Sequence, residues 1–366
     1  MGLGRWSRRQ VADLHPGYAA WVMATGIVST ALALFGRTVL ATIVLVVAVG
    51  AFAILVVAYA WRVIAFRQRV LDDARDPSKA FGYFTLVAAA NVIGVRFAVG
   101  HHPLPAIILG AFSVPLWLIL TYAIPGYMMV GPRKGSILSG VNGSWFMWVV
   151  ATQSVAAAAA AIAQSTPALT PPMAPVAVSL WGIGVVLYVM LLGLVTFHLL
   201  DAETTPHAFS PTYWIYMGAT AITVLAGARI LALPTRLAVL VPTRQVVSGL
   251  AFLLWAFGTW WVPMLIAFGI WRHLVRREPL RYEPTLWSMV FPLGMYAVGS
   301  ASYGRVTNLS FMVDIARVEL WVAVTVWAGV LAAMARSLLP RRRRPESMPP
   351  PATGSRPLRA RPQTKA

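Results

Sequence analysis

Apolar runs follow one another from Gly17 to Leu338, separated by short polar or turn-rich stretches. Many reach the roughly 18–20 residues that a helix needs to cross the hydrocarbon core of a bilayer. The pattern predicts ten spans: 17–35, 39–66, 81–100, 104–130, 144–163, 174–200, 211–232, 246–271, 284–304 and 315–338. The expected fold is therefore an all-α polytopic membrane protein built from five helical hairpins.

The odd-numbered spans open alike, with PGYAAW (16–21), FGYFTL (81–86), NGSWFMW (142–148), PTYWIY (211–216) and PTLWSM (284–289). Each places a turn-forming residue first and aromatic residues next. Further along come small-then-polar pairs, Ala24-Thr25, Ala90-Asn91, Ala151-Thr152 and Ala219-Thr220. The ninth span carries Phe291-Pro292-Leu293-Gly294 near that height instead. Even-numbered spans such as TVLATIVLVVAVGAFAILVVAYAW are uniformly bulky. Small and polar helices face other helices or a cavity, whereas bulky ones face lipid. The repeat thus predicts odd helices lining a central pore, with Thr25, Asn91, Thr152 and Thr220 on its wall. The competing reading is that small residues merely let helices pack closely.

Composition agrees with a membrane location. The 366 residues are 58% hydrophobic and only 11% charged, with mean hydropathy +0.71, against roughly 25% charged residues in soluble domains. The formal charge of +19 sits largely in loops and in the tail PRRRRPESMPPPATGSRPLRARPQTKA, so it does not imply nucleic acid. The tail, 339–366, has the composition of a disordered segment and would be drawn to anionic membrane lipid. With the N-terminal segment (1–14) inside, 23 of the 30 basic residues lie on the cytoplasmic side, as the positive-inside rule requires. Both termini are then cytoplasmic, flanking one membrane domain at 15–338. The strong preference for arginine over lysine suggests a GC-rich bacterial source, and hence the plasma membrane.

There is no cysteine, which excludes disulfides and thiolate chemistry. The pair His101-His102 lacks carboxylate or thiolate neighbours in sequence and makes a poor metal site. There is no phosphate-loop motif for ATP, and no enzyme chemistry or cofactor is implied. Glu319 lies close in sequence to Arg317 and Asp314, where an interfacial ion pair is expected. Arg96, Arg229 and Arg305 stand near the outer ends of odd spans; they either form an anion vestibule or snorkel to headgroups.

The opening HPGYAAWVMATGIVSTAL and the ninth-span FPLGMYA resemble the tellurite-resistance/dicarboxylate transporter family, over about residues 12–338. That family includes plant slow anion channels, yeast malate permeases and sulfite pumps, and bacterial tellurite-resistance membrane proteins. The resemblance implies transport of small inorganic or dicarboxylate anions through a central pore, in a homotrimer. It also implies a ninth-helix phenylalanine that plugs the pore, which falls on Phe291. Pro292 and Gly294 would bend the helix beside that plug and complete the gate. The plainer reading of the same residues is a packed aromatic next to a static kink, and a proton-coupled carrier of C4-dicarboxylates, sulfite or tellurite is the alternative mechanism.

Overall fold

The computed structural model describes residues 8–132, 135–201 and 210–338. The tail at 339–366, and Arg5, Arg133 and Lys134 of the charge count, lie outside the described residues. The chain forms α1 (Ala20–Leu34), α2 (Thr38–Ala65), α3 (Arg67–Arg75), α4 (Phe84–Val99), α5 (Pro103–Val130), α6 (Met147–Ser165), α7 (Thr170–Asp201), α8 (Ile215–Leu231), α9 (Leu240–Ile270), α10 (Trp287–Thr307) and α11 (Ser310–Leu338). Because α3 is a short surface helix, the expected ninth span is α10.

Among the described residues, nine helices are long and apolar enough to cross a membrane. The expectation was ten. The 21-residue α10, WSMVFPLGMYAVGSASYGRVT, is not one of the nine. Its Ser, Gly, Pro and Tyr content lowers its hydropathy, yet nearly all of it is buried.

The architecture is two concentric layers. Helices α1, α4, α6, α8 and α10 each pack against the next, and α10 packs back on α1, closing an inner ring. Each then packs against the helix that follows it: α2, α5, α7, α9 and α11. The most apolar windows of α1, α4, α6 and α8 are 72–94% buried, those of the outer five only 17–28%. This is the small-inside, bulky-outside division that the repeat predicts. Bulky Val, Leu and Ile on the outer faces have nothing to gain from leaving lipid, whereas Ala, Gly, Ser and Thr let backbones approach closely.

A feature that the sequence pattern did not reveal ties the layers together. Trp117 of α5 donates its indole N–H to Thr152 Oγ1 of α6 at 3.0 Å. Trp181 of α7 donates to the Thr223 carbonyl of α8 at 3.0 Å, Trp255 of α9 to Ser300 Oγ of α10 at 2.8 Å, and Trp327 of α11 to Thr25 Oγ1 of α1 at 3.2 Å. Each outer tryptophan thus fastens to the following inner helix, and the last fastens to the first. Such pairing satisfies an indole N–H that hydrocarbon could not.

Candidate functional site: an axial path with two mouths

The five inner helices begin with 3-10 turns at Pro16–Ala19, Ala80–Tyr83, Gly143–Phe146, Pro211–Trp214 and Pro284–Leu286. These are the repeated openings read in the sequence. Proline at the start supplies a fixed φ where no N–H partner is needed. Side-chain acceptors cap three of the turns: His15 Nδ1 takes the Gly17 N–H at 3.0 Å, Asn142 Oδ1 the Ser144 N–H at 2.8 Å, and Ser210 Oγ the Thr212 N–H at 3.4 Å. The turns press together backbone to backbone. A β-carbon at Gly82 would lie 2.8 Å from the Gly17 nitrogen, and one at Gly143 would lie 2.3 Å from the Thr212 carbonyl oxygen.

All five turns line one cavity of about 250 Å³. Its wall includes Gly17, Thr85, Ser144, Thr212 and Ser288, one from each inner helix or its opening turn, together with His15 and Lys79. The positive ends of five helix dipoles, each equivalent to about half an elementary charge, therefore face a single chamber. Among the described residues, no carboxylate lines it.

Deeper along the axis, a second, much smaller cavity of about 10 Å³ is again bounded by all five inner helices, through Ile27, Asn91, Val92, Ser154, Ile222 and Met295 among others. It has room for about one water. Asn91 sits on its wall, with its amide donating to Ser154 Oγ at 3.0 Å and accepting from Ser113 of α5 at 2.7 Å.

The layer between the two cavities is closed. One turn back from Ile27, Val92, Ser154, Ile222 and Met295 stand Met23, Ala88, Val150, Gly218 and Phe291, on the same faces of their helices because i and i+4 overlie each other. All are buried, Phe291 completely. On α10 itself Ser288, Phe291 and Met295 follow the i, i+3, i+7 spacing of one helical face, so Phe291 stands between the chamber that Ser288 lines and the cavity that Met295 lines. Of these five residues it alone carries an aromatic ring. α10 runs unbroken through Pro292. Both neighbours of the ring are packing contacts: a β-carbon at Gly218 would stand 2.7 Å from Pro292 Cγ, and one at Gly294 would stand 2.8 Å from Ile27 Cγ2.

The remaining expected pore residues fall elsewhere. Thr25 and Thr152 accept from outer-layer tryptophans, and Thr220 faces α9, where its Oγ1 fills the space beside Gly258. Of the four polar members of the repeated pairs only Asn91 reaches the axial cavity. Thr25, Thr152 and Thr220 lie on the seam between the layers, the first two bonded to outer tryptophans and the third packed beside Gly258.

Arg96, Arg229 and Arg305 lie in the last turns of α4, α8 and α10, at the mouth opposite the five N-termini. They sit on helix–helix seams. Arg96 Nε donates to Ser29 Oγ at 3.3 Å, and Arg305 Nη2 to the Leu34 carbonyl at 3.0 Å while its guanidinium covers the Phe35 ring. Arg229 meets Gln164 at the end of α6, whose side-chain amide donates to the Arg229 carbonyl at 2.6 Å. Arg96 and Arg305 thus converge on α1, while Arg229 serves α6. Cations here offset the negative helix C-termini.

At the N-terminal mouth, Arg62 is buried and bonds Asp73 of α3 at 2.5 Å, the Tyr83 hydroxyl at 3.2 Å and the Ala12 carbonyl at 3.3 Å. Lys79 approaches Asp73 at 3.4 Å and Asp76 at 3.6 Å. Burial holds the His15 imidazole below its ordinary value; Asp73 pulls the other way, and Lys79 and Arg62 add to the depression. The neutral ring matches its role as an acceptor at Nδ1. Arg317 pairs with Asp314 at 2.8 Å, but Glu319 does not join them: its Oε2 is buried without a hydrogen-bond partner.

The family model described as voltage-dependent anion channel matches residues 13–335. An uncharacterized membrane protein of Mycobacterium tuberculosis is 47% identical over 152 residues, which covers 42% of this chain and 77% of that protein. An uncharacterized transporter of Methanocaldococcus jannaschii is 27% identical over 336 residues, 88% of this chain and 92% of its own length. A second transporter from the same archaeon is 24% identical over 278 residues.

Proposed function

Because the chain belongs to the voltage-dependent anion channel family, we propose that it conducts small anions along the axis of its inner ring, with Phe291 as the plug. Transport of anions across a membrane, rather than enzyme catalysis, is the activity of this family. The observation that carries the plug is the buried Phe291 ring, which lies on α10 between Ser288 of the one axial cavity and Met295 of the other. An anion enters the chamber where five helix N-termini meet, because those ends present partial positive charge and hydroxyls, with no opposing carboxylate among the described residues. It leaves past the Arg96, Arg229 and Arg305 end, where the guanidinium groups counter the negative dipole ends.

In this reading α10 also crosses the membrane, which brings the nine apolar spans to ten. The five-N-terminus mouth is cytoplasmic, since Arg62, Arg67, Arg69, Arg75, Lys79, Arg272 and Arg276 gather at that end. Exposed Val, Leu and Ile of the outer helices meet lipid or, in a homotrimer, a second copy. The test is reconstitution into liposomes under a salt gradient: a reversal potential set by the anion supports the reading, and one set by the cation overturns it.

Glu319 favours a second reading. An intramembrane carboxylate oxygen without a partner is the usual mark of a proton site, and this one neighbours Tyr296 of α10. If the protein couples anion movement to protons, net flux at a clamped membrane potential follows the pH gradient, and Glu319→Gln abolishes that dependence. Absence of any pH-driven flux leaves the channel reading.

A further inference from the structure

Two side chains in the N-terminal chamber have capacity that the fold does not use. Ser288 is 7% exposed and lines the chamber, yet it makes no hydrogen bond among the described residues. Ser144 Oγ, across the chamber, is buried and equally without a partner. A buried hydroxyl without a partner, as at Ser144 Oγ, is costly in a helix bundle, and both serines line the wall of a chamber that faces helix N-termini. Beside them Lys79 brings the one ammonium or guanidinium group that the described residues place on the wall. Its contacts with Asp73 and Asp76, at 3.4 and 3.6 Å, are long, and its side chain is 45% exposed. Pairs of that kind hold little energy, so the ammonium can turn into the chamber without disrupting the fold. Asp73 keeps Arg62 when it does.

We infer that this chamber is an anion-binding station, formed by the Lys79 ammonium with the Ser288 and Ser144 hydroxyls, and that it takes a singly charged inorganic anion. The inference rests on the conduction reading above for the anion's route, and adds where it pauses and what its charge is. One ammonium and neutral hydroxyls match one negative charge. A C4-dicarboxylate would bring a second carboxylate for which the wall, among the described residues, offers no second ammonium or guanidinium, and the His15 Nδ1 is engaged with the Gly17 N–H.

The sequence makes a direct test possible, because Lys79, Lys134 and Lys365 are its only lysines. The full chain in detergent is treated with an amine-acylating reagent, and the three modification rates are read by mass spectrometry in sodium nitrate, disodium malate or a non-binding buffer of matched ionic strength. With nitrate at about ten times its half-saturating concentration, acylation of Lys79 slows roughly tenfold, while Lys134 and Lys365 are unchanged. Ser288→Ala weakens this protection without altering the melting temperature. Equal rates for Lys79 with and without nitrate, or equal slowing of all three lysines, overturns the station. Protection by malate equal to that by nitrate overturns the charge assignment, and full protection in Ser288→Ala removes the hydroxyl from it. None of these readouts requires conduction, so a protected Lys79 in a protein that passes no anion would leave the station standing and defeat the channel reading instead.

Discussion

Trp327 on the last helix donates its indole N–H to Thr25 on the first, 3.2 Å away and 302 residues distant in sequence. It completes a series in which Trp117, Trp181 and Trp255 each clasp the next inner helix. The closing member joins α11 to α1, which no loop connects directly. Trp327→Phe keeps the ring and removes the donor. The expected cost is about 0.5–1.5 kcal/mol, seen as a lower unfolding midpoint in detergent.

Gly218 offers a sharper packing test. A methyl group there would meet Pro292 Cγ at 2.7 Å, and neither helix can yield without moving its backbone. Gly218→Ala should destabilise by about 1–3 kcal/mol. Gly249→Ala, on α9 with nothing within 4 Å, should be neutral or slightly stabilising, because alanine is the better helix former. Thermal melts of the two variants distinguish a local clash from a general intolerance of alanine.

The Arg62–Asp73 pair should behave as a buried one, with Arg62 almost wholly covered and Asp73 largely so. Arg62→Met leaves Asp73 with only the looser Lys79 contact. We expect a loss of about 3 kcal/mol and release of α3 from the bundle, measurable as faster amide exchange across Arg67–Arg75.

His15 gives a pH signature. Its folded-state value lies below the ordinary one, so the fold prefers the neutral ring. Above about pH 6.5, the unperturbed histidine value, both states are neutral and stability is unaffected. As pH falls through that value the unfolded chain takes up a proton first, and stability declines. The unfolding midpoint should drop between pH 7 and pH 5 in the wild type. In His15→Asn, which keeps an acceptor for the Gly17 N–H, the drop should be smaller.

Much of the fold was legible because membrane helices announce themselves by length and apolarity, and because the five openings PGYAAW, FGYFTL, NGSWFMW, PTYWIY and PTLWSM repeat a local event, the 3-10 start of an inner helix. The two-layer division followed from residue size. What the repeat could not convey was azimuth. Thr25, Thr152 and Thr220 recur at one depth, but a helix also has an outward-facing seam at that depth, and these three occupy it. Met23, Ala88, Val150 and Gly218, the companions of Phe291 in the closed layer, share no residue type, and their common role emerges only from the cavity above them. The N-terminal chamber was hidden for another reason. Much of its positive character comes from backbone dipoles, which no side-chain inventory records, whereas the three arginines drew notice through formal charge alone. Sequence proximity suggests a Glu319–Arg317 pair, but at i, i+2 on a helix two residues do not face each other.

The most direct test is anion flux through liposomes containing wild type or Phe291→Ala, at equal protein density and with folding checked by the melting temperature. Truncation removes the proposed plug, so the account predicts a large rise in nitrate and chloride flux in Phe291→Ala. Equal, negligible flux in both proteins, with the variant folded, would contradict it and leave Phe291 as a packed core residue.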